Sequence, residues 1–177
     1  MKNIVFFLIT VPMYSFASIE VAFIEMRNSK NKVVQLEPGG QFAHLAISYQ
    51  GKWLHSYPPN GVEVISQQEL ERIGTIKKIV IVSETDSVSV GTAENFLGKP
   101  YDASYSWSDD RVYCAELVAK ILKIEPQPME FKSSFWPKQF KILKGNLGLS
   151  PDDIFKALIT KGYPSYNIKS KCEKLFH

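Results

Sequence analysis

Cys114, His44 and His55 are the side chains of this sequence whose types and order permit nucleophilic catalysis. Cys114 stands where an aromatic-rich loop meets an apolar helical pattern, and a helix start lowers a thiol pKa because its unpaired N–H groups stabilise the thiolate. A cysteine hydrolase also needs an imidazole that accepts the thiol proton and a polar group that orients the ring. The residues therefore permit a Cys-His dyad, and a structural role for either histidine remains the alternative.

The two histidines lie in neighbouring predicted strands that a tight turn joins. His44 is part of FAHLAISY (42–49), His55 is part of KWLHSY (52–57), and Gln50-Gly51 separates the two segments. In such a hairpin, residues eleven positions apart are cross-strand or diagonal neighbours. We therefore expect one imidazole to be able to orient the other.

Hydrophobic periodicity predicts an α+β fold with most strands early in the chain and most helices late. The predicted strands are 19–26, 32–36, 42–49, 52–57, 62–65 and 77–83, and the last of these is apolar enough for a central position. The predicted helices are 67–73, 89–97, 112–123 and one that Ser150-Pro151 begins, while 130–149 is predicted as loop with one short helix.

The first seventeen residues have the pattern of a cleaved secretory signal. Lys2 precedes an apolar run, and Ser15-Phe16-Ala17 has the small-x-small form of a cleavage site. A transmembrane helix is the alternative, but the run is short and Pro12 interrupts it. The sequence thus predicts an exported chain, periplasmic or in the cell envelope, with a single domain at 18–177.

Composition limits the kinds of partner and cofactor. The formal charge of +3 is a weak excess, without the basic blocks that nucleic-acid binding requires. Cysteines and histidines do not recur at metal-ligand spacing, so we expect no metal and no organic cofactor. A disulfide between Cys114 and Cys172 is the alternative to a free nucleophile, but Cys172 lies in a charged tail.

Several short motifs resemble those of the YiiX/YaeF family of permuted papain-like amidases. In that family a strand histidine precedes the nucleophilic cysteine, which opens a later helix. The matching segments are HLAI (44–47), GV (61–62), LGKPYD (97–102), YCAEL (113–117) and SPDDIF (150–155). The resemblance covers about residues 42 to 158.

This resemblance implies a circularly permuted papain-like, NlpC-type fold in which an antiparallel sheet packs against the cysteine-bearing helix. It implies that Cys114 is the nucleophile and His44 the general base. His55 stands where relatives commonly have a glutamate, and it resembles the second histidine of lecithin:retinol acyltransferase-like proteins, which implies an orienting role. The implied substrates are peptide amides, including those of peptidoglycan stems. A lipid acyl hydrolase or acyltransferase, and a non-catalytic envelope binding protein, remain alternatives.

Three further residues are candidates for substrate binding. Tyr101 and Tyr113 flank the cysteine motif and are predicted to shape a pocket, although core packing is the alternative for both. Asp110 belongs to an acidic turn (109–111) that is expected either to bind a substrate amine or to cap the helix. Glu116 is predicted to point away from the thiol, toward a strand or a basic side chain. The expected partners are a peptide, a peptidoglycan fragment or an acyl-lipid, with peripheral envelope association.

Overall fold

The computed structural model of the protein describes residues 18–83, 90–129 and 144–168. The strands are β1 (Ser18–Glu25), β2 (His44–Tyr49), β3 (Lys52–Tyr57), β4 (Gly61–Ile65), β5 (Thr75–Ser83), β6 (Gln127–Pro128), β7 (Leu147–Gly148) and β8 (Ser165–Tyr166). The α-helices are α1 (Gln67–Ile73), α2 (Cys114–Leu122) and α3 (Pro151–Thr160), and Val90–Phe96 forms a 3-10 helix.

Within these ranges the main sheet has six strands in the order β4-β3-β2-β1-β5-β8, and all of its pairings are antiparallel. Strands β1 to β4 lie next to one another in chain order, and β5 pairs with the other edge of β1. The short strands β6 and β7 form a separate ribbon. The α+β class and the antiparallel sheet predicted from the sequence are confirmed.

Alternating side chains place a separate apolar cluster on each face of the sheet. One cluster joins Phe23, Leu45 and Leu54 to the buried faces of α2 and α3. The other joins Ile24, Ala46 and Trp53 to Leu70 of α1. The helix that begins at Cys114 therefore lies on the same face as Leu45, the residue that follows His44.

Helix α2 is the best buried of the three helices, which explains its firm position on the sheet. Eight of its nine residues are buried, including Cys114 and Glu116. The helix ends at Lys123, whose backbone is left-handed (φ 53°) and whose N–H bonds to the carbonyl of Ala119. The cysteine is thus fixed at the first turn of a rigid element.

The predicted element boundaries are confirmed for β3, α1 and the Ser150-capped start of α3. The predicted strand at 32–36 is wrong: Val33 makes one isolated bridge, to Arg27, and the surrounding residues are turn or irregular. The strand predicted at 77–83, for which a central position was expected, is β5. It lies between β1, with which it pairs along its length, and β8, with which it pairs over two residues.

Several sequence predictions fall outside the described residues: the signal segment (1–17), most of the predicted loop at 130–149, and Cys172. Across the described ranges, none of the helices combines the length and the hydrophobicity that a bilayer crossing requires.

Candidate active site

The imidazoles of His44 and His55 are in contact inside the β2–β3 hairpin. The register pairs Ile47 with Leu54, which makes His44 and His55 diagonal neighbours, as the spacing predicts. Nε2 of His44 lies 3.0 Å from Nδ1 of His55, and the rings meet edge to face. Both residues are buried. Because Nε2 of His44 is in contact with His55, only Nδ1 of His44 can exchange a proton with another group.

Glu63 supplies a carboxylate that the sequence prediction did not include. Strand β4 pairs with β3 so that Glu63 stands opposite His55. Its Oε1 lies 3.6 Å from Nε2 of His55, a buried nitrogen without a hydrogen-bond partner among the described residues. The sequence predicts a strand at 62–65, which contains Glu63. Only the register between β3 and β4 shows that Glu63 is the residue opposite His55.

The Cys114 thiol is free and lies beside the start of β2. The backbone N–H groups of Leu45, Ala115 and Cys114 itself donate hydrogen bonds to the sulfur. Leu45 directly follows His44 in the chain. The fold thus brings the cysteine of α2 to the strand segment that carries the first histidine, across about seventy residues of sequence.

Burial determines the protonation of this site. It raises the pKa of the Cys114 thiol to about 11, and the three N–H donors offset only part of that shift. The expectation that the helix start lowers this pKa is therefore wrong for the resting protein, because desolvation outweighs the helix dipole. Burial, and then the neighbouring His55, lowers the pKa of His44 to about 3.

The pKa of His55 is lowered as well, by burial first, while the Glu63 carboxylate opposes that shift. The thiol and both imidazoles are consequently neutral near pH 7. A neutral imidazole is the form that accepts a proton, so this arrangement suits general-base transfer rather than a resting thiolate–imidazolium pair.

Cys114 opens into a cavity of about 130 Å³ whose wall is mostly apolar, with a smaller polar part. Its lining residues are Leu36, Glu37, Ala43, Tyr101, Tyr105, Tyr113, Cys114, Met129, Leu149, Ser150, Pro151 and Asp153. Two of the predicted substrate-binding residues, Tyr101 and Tyr113, therefore line the same cavity as Cys114. Asp110 is not: it is exposed and does not line this cavity.

Tyr105, Glu37 and Asp153 reach the same cavity without having been predicted. Tyr105 lies in the aromatic-rich connector before α2. The composition of this connector indicates a cluster of rings, but the residue spacing does not show which ring reaches the cavity. Glu37 and Asp153 come from segments distant in sequence and meet only through the packing of α3.

A buried ion pair fixes the start of α2. Glu116 accepts a hydrogen bond from the Tyr113 N–H (3.3 Å) and pairs with Lys120 (2.9 Å), as the prediction of a basic partner requires. Lys120 also bonds to the Ser108 carbonyl and the Asp109 carboxylate, which ties the preceding loop to the helix. The predicted cap from 109–111 is wrong, because Tyr113 is the N-cap residue and its N–H bonds to Glu116 of the same helix.

The profile of the permuted papain-like amidase enzymes of the YaeF/YiiX, C92 family matches residues 20–153, a range that holds all of these groups. The chain belongs to this family. An uncharacterized protein YiiX of Escherichia coli (strain K12) is 31% identical over 135 residues, which are 68% of this chain and 67% of that protein. The family relationship identifies a cysteine-type amidase or hydrolase in general terms.

A solved structure has the same fold. The crystal structure of metalloprotein yiiX from Escherichia coli O157:H7 superposes with a TM-score of 0.58 at 24% identity, over 77% of this chain and 89% of that one. The mixed α+β architecture with an antiparallel sheet is thus the permuted papain-like fold that the sequence resemblance implied.

Proposed function

We propose that the protein is an exported amidase in which Cys114 attacks a peptide carbonyl and forms a covalent acyl-enzyme. The observation that carries this proposal is the position of the thiol, beside Leu45 and at the wall of a cavity, next to the strand that carries His44, whose Nε2 is already in contact with His55. His44 is the proposed general base and His55 the residue that orients it.

The proposed step balances without an oxidant or a metal. The sulfur forms a bond to the carbonyl carbon, the carbonyl π electrons move to oxygen, and the thiol proton passes to Nδ1 of His44. His55 then stabilises the positive ring through Nε2 of His44, and Glu63 stabilises His55. Collapse of the intermediate returns the proton to the leaving amine, and water releases the acyl group by the same route.

The polar part of the cavity wall supports a peptide substrate over a lipid. Glu37, Asp153 and Tyr105, which have carboxylate or hydroxyl groups, line the same cavity as Cys114. Glu37 is held in place by Lys156 (2.6 Å) and by the Ser150 hydroxyl (3.1 Å). A groove for an acyl chain needs a long apolar wall instead. Peptide amides, including those of peptidoglycan stems, are therefore the proposed substrates.

The name metalloprotein belongs to the related structure, and the described residues of this chain do not fit a metal. In the part of the chain that the structure describes, no three His, Cys, Asp or Glu residues are arranged to hold a metal ion. The facing nitrogens of His44 and His55 are bonded to each other. No step of the proposed mechanism is routed through a metal.

Acetylation by p-nitrophenyl acetate tests the nucleophile and the base independently of the natural substrate. The full chain is expected to release nitrophenolate with a burst, and mass spectrometry is expected to find the acetyl group on the peptide that contains Cys114. Cys114→Ala should abolish the burst, and His44→Gln should slow it by about 10²- to 10⁴-fold. His177→Gln is the matched control.

An acetylation rate that is unchanged in His44→Gln would refute the proposed base. The substrate class is tested by incubating the protein with peptidoglycan stem peptides and with phosphatidylcholine vesicles. Release of an amine from the peptides supports the amidase, while release of fatty acid alone would establish the lipid hydrolase instead. Export is tested by sequencing the N-terminus of the protein recovered from the cell envelope, which is expected to begin near Ser18.

A further inference from the structure

The loop between Tyr101 and the start of α2 is built around one buried carboxylate. Asp102 is fully buried and accepts four hydrogen bonds, from the N–H and hydroxyl of Ser104 (2.9 and 2.6 Å) and of Ser106 (2.6 and 2.9 Å). These bonds lower its pKa although burial, the largest influence, raises it. The loop therefore has a defined conformation instead of a mobile one.

Two aromatic residues of this loop have left-handed backbone conformations. Tyr105 has a φ of 52° and Trp107 a φ of 53°. This region costs a residue with a side chain roughly 1–2 kcal/mol, so it persists only where the surroundings impose it. The four hydrogen bonds to Asp102 hold the loop in this conformation. The strained backbone at Tyr105 and Trp107 therefore sets the direction in which their rings project.

The rings project toward the nucleophile. The Tyr105 ring packs on the ring of Tyr113, the residue before Cys114, with centroids 4.9 Å apart. Tyr105 and Tyr101 both line the cavity into which the thiol opens, and their hydroxyl oxygens lie 3.4 Å apart. Burial first raises the pKa of each, and proximity to a Cys114 thiolate adds to both shifts, so both groups keep their protons.

We propose that Tyr105, supported by Tyr101, donates a hydrogen bond from its hydroxyl group to the carbonyl oxygen that becomes negative when Cys114 attacks. This inference rests on the proposed function. The oxygen develops charge within the cavity that both hydroxyl groups line, and donors held there before the reaction stabilise that charge at no cost of reorganisation. Tyr101 donates to Tyr105 and thereby polarises the Tyr105 hydroxyl, which makes Tyr101 a positioning residue.

The test compares two reactions of the same thiol. Acetylation by p-nitrophenyl acetate creates a negative oxygen, whereas alkylation by iodoacetamide displaces iodide at a saturated carbon and creates none. Tyr105→Phe is expected to slow acetylation by about 10²-fold and to leave alkylation within about twofold of the wild type. Tyr101→Phe is expected to slow acetylation by about tenfold, and the double variant should lose little more than Tyr105→Phe.

Tyr49→Phe is the matched control, because its hydroxyl bonds to Glu94 and it does not line the cavity. Acetylation by Tyr105→Phe within about twofold of the wild type would overturn the proposal. An equal loss in acetylation and alkylation would also overturn it, since that result shows a loop that only shapes the site. A wild-type thiol that undergoes neither reaction would instead refute the proposed function itself.

Discussion

His55 and Glu63 face each other across two paired strands, with Nε2 of the histidine 3.6 Å from Oε1 of the glutamate. The His55 side chain is buried, whereas the Glu63 side chain is 37% exposed. The negative charge therefore lies at the protein surface and acts on His44 through the buried imidazole of His55. Together with the 3.0 Å contact between the two imidazoles, this makes the carboxylate, His55 and His44 successive neighbours, although the 3.6 Å separation is too long for a hydrogen bond. A neutral histidine alone stabilises an imidazolium poorly, and we expect Glu63 to compensate for that weakness.

Replacing Glu63 by Gln is expected to lower kcat for acetylation by roughly tenfold while KM changes little, because the carboxylate acts on the charged ring and is partly screened by water. Steady-state kinetics of the two proteins provide the measurement. Glu71→Gln is the control, since Glu71 lies on the surface of α1 and bonds only to Gln67 there. Equal kcat values for Glu63→Gln and the wild type would show that the Glu63 carboxylate does not contribute to catalysis.

The pH dependence of Cys114 alkylation distinguishes two routes: attack by a thiol whose proton His44 removes, and attack by the small fraction of thiol that is already ionised. With a thiol pKa of about 11, the thiolate fraction at pH 7 is only about one part in ten thousand. In His44→Gln the alkylation rate by iodoacetamide should therefore rise about tenfold per pH unit from pH 7 to 10. The wild type should react faster near pH 7 and rise less steeply, because its imidazole takes the proton during attack.

The two curves are expected to converge toward pH 11, where about half of the thiol is ionised. Curves that coincide over the whole range would mean that His44 does not assist the thiol. Cys114→Ala, which leaves only Cys172, gives the background rate.

The histidine pair and its partner strand show what the sequence can and cannot predict. Eleven residues across a two-residue turn are enough to place His55 diagonally from His44, because strand geometry is local. The contribution of Glu63 depends on the register between β3 and β4, which follows from the Pro58–Gly61 turn and is not visible in residue types. The thiol pKa was misjudged for a similar reason, since it depends on how deeply α2 is buried in the complete fold.

The error at 32–36 has a different cause. KVVQL has β-branched residues and the alternation of a strand, yet it folds back on the residues just after the end of β1 and not on β1 itself. The Val34 N–H bonds to the Met26 carbonyl, and Val33 forms an isolated bridge with Arg27, which is too short a pairing to make a strand. Tertiary context thus overrides local propensity, while Leu36 and Glu37 become part of the cavity wall instead.

His44 should make the folded protein less stable in mild acid. Its folded pKa of about 3 lies below the ordinary value of 6.5, so the unfolded chain binds the proton first as the pH falls. Stability is therefore full above about pH 6.5 and decreases toward pH 3, at up to about 1.4 kcal/mol per pH unit for this one group. Urea unfolding at pH 7, 6 and 5 should show a smaller decrease for His44→Gln than for the wild type. Parallel decreases in both proteins would contradict this assignment.

Asp152 connects α3 to the segment that precedes His44. It is buried, and its carboxylate accepts the backbone N–H groups of Gln41 (2.9 Å) and Phe42 (3.3 Å). Burial raises its pKa, although those two donors oppose the shift. Asp152→Ala leaves two N–H groups without an acceptor, which should lower the free energy of unfolding by about 2–4 kcal/mol. Urea unfolding measures this, and Asp110→Ala, at an exposed position, should change it by less than about 0.5 kcal/mol.

The same substitution should affect catalysis in a way that a general loss of stability does not. Asp152 fixes the backbone immediately before Ala43, which lines the cavity, and His44, which is the proposed base. At a temperature where Asp152→Ala remains folded, acetylation should therefore fall about tenfold while the wild-type pH profile is lost in part, because the backbone that carries His44 is no longer held in one position. Asp152→Asn keeps one acceptor but turns an amide N–H toward the second donor, so it should lie between the two proteins in both stability and rate. A folded Asp152→Ala with the wild-type rate and profile would show that β2 holds His44 without help from α3.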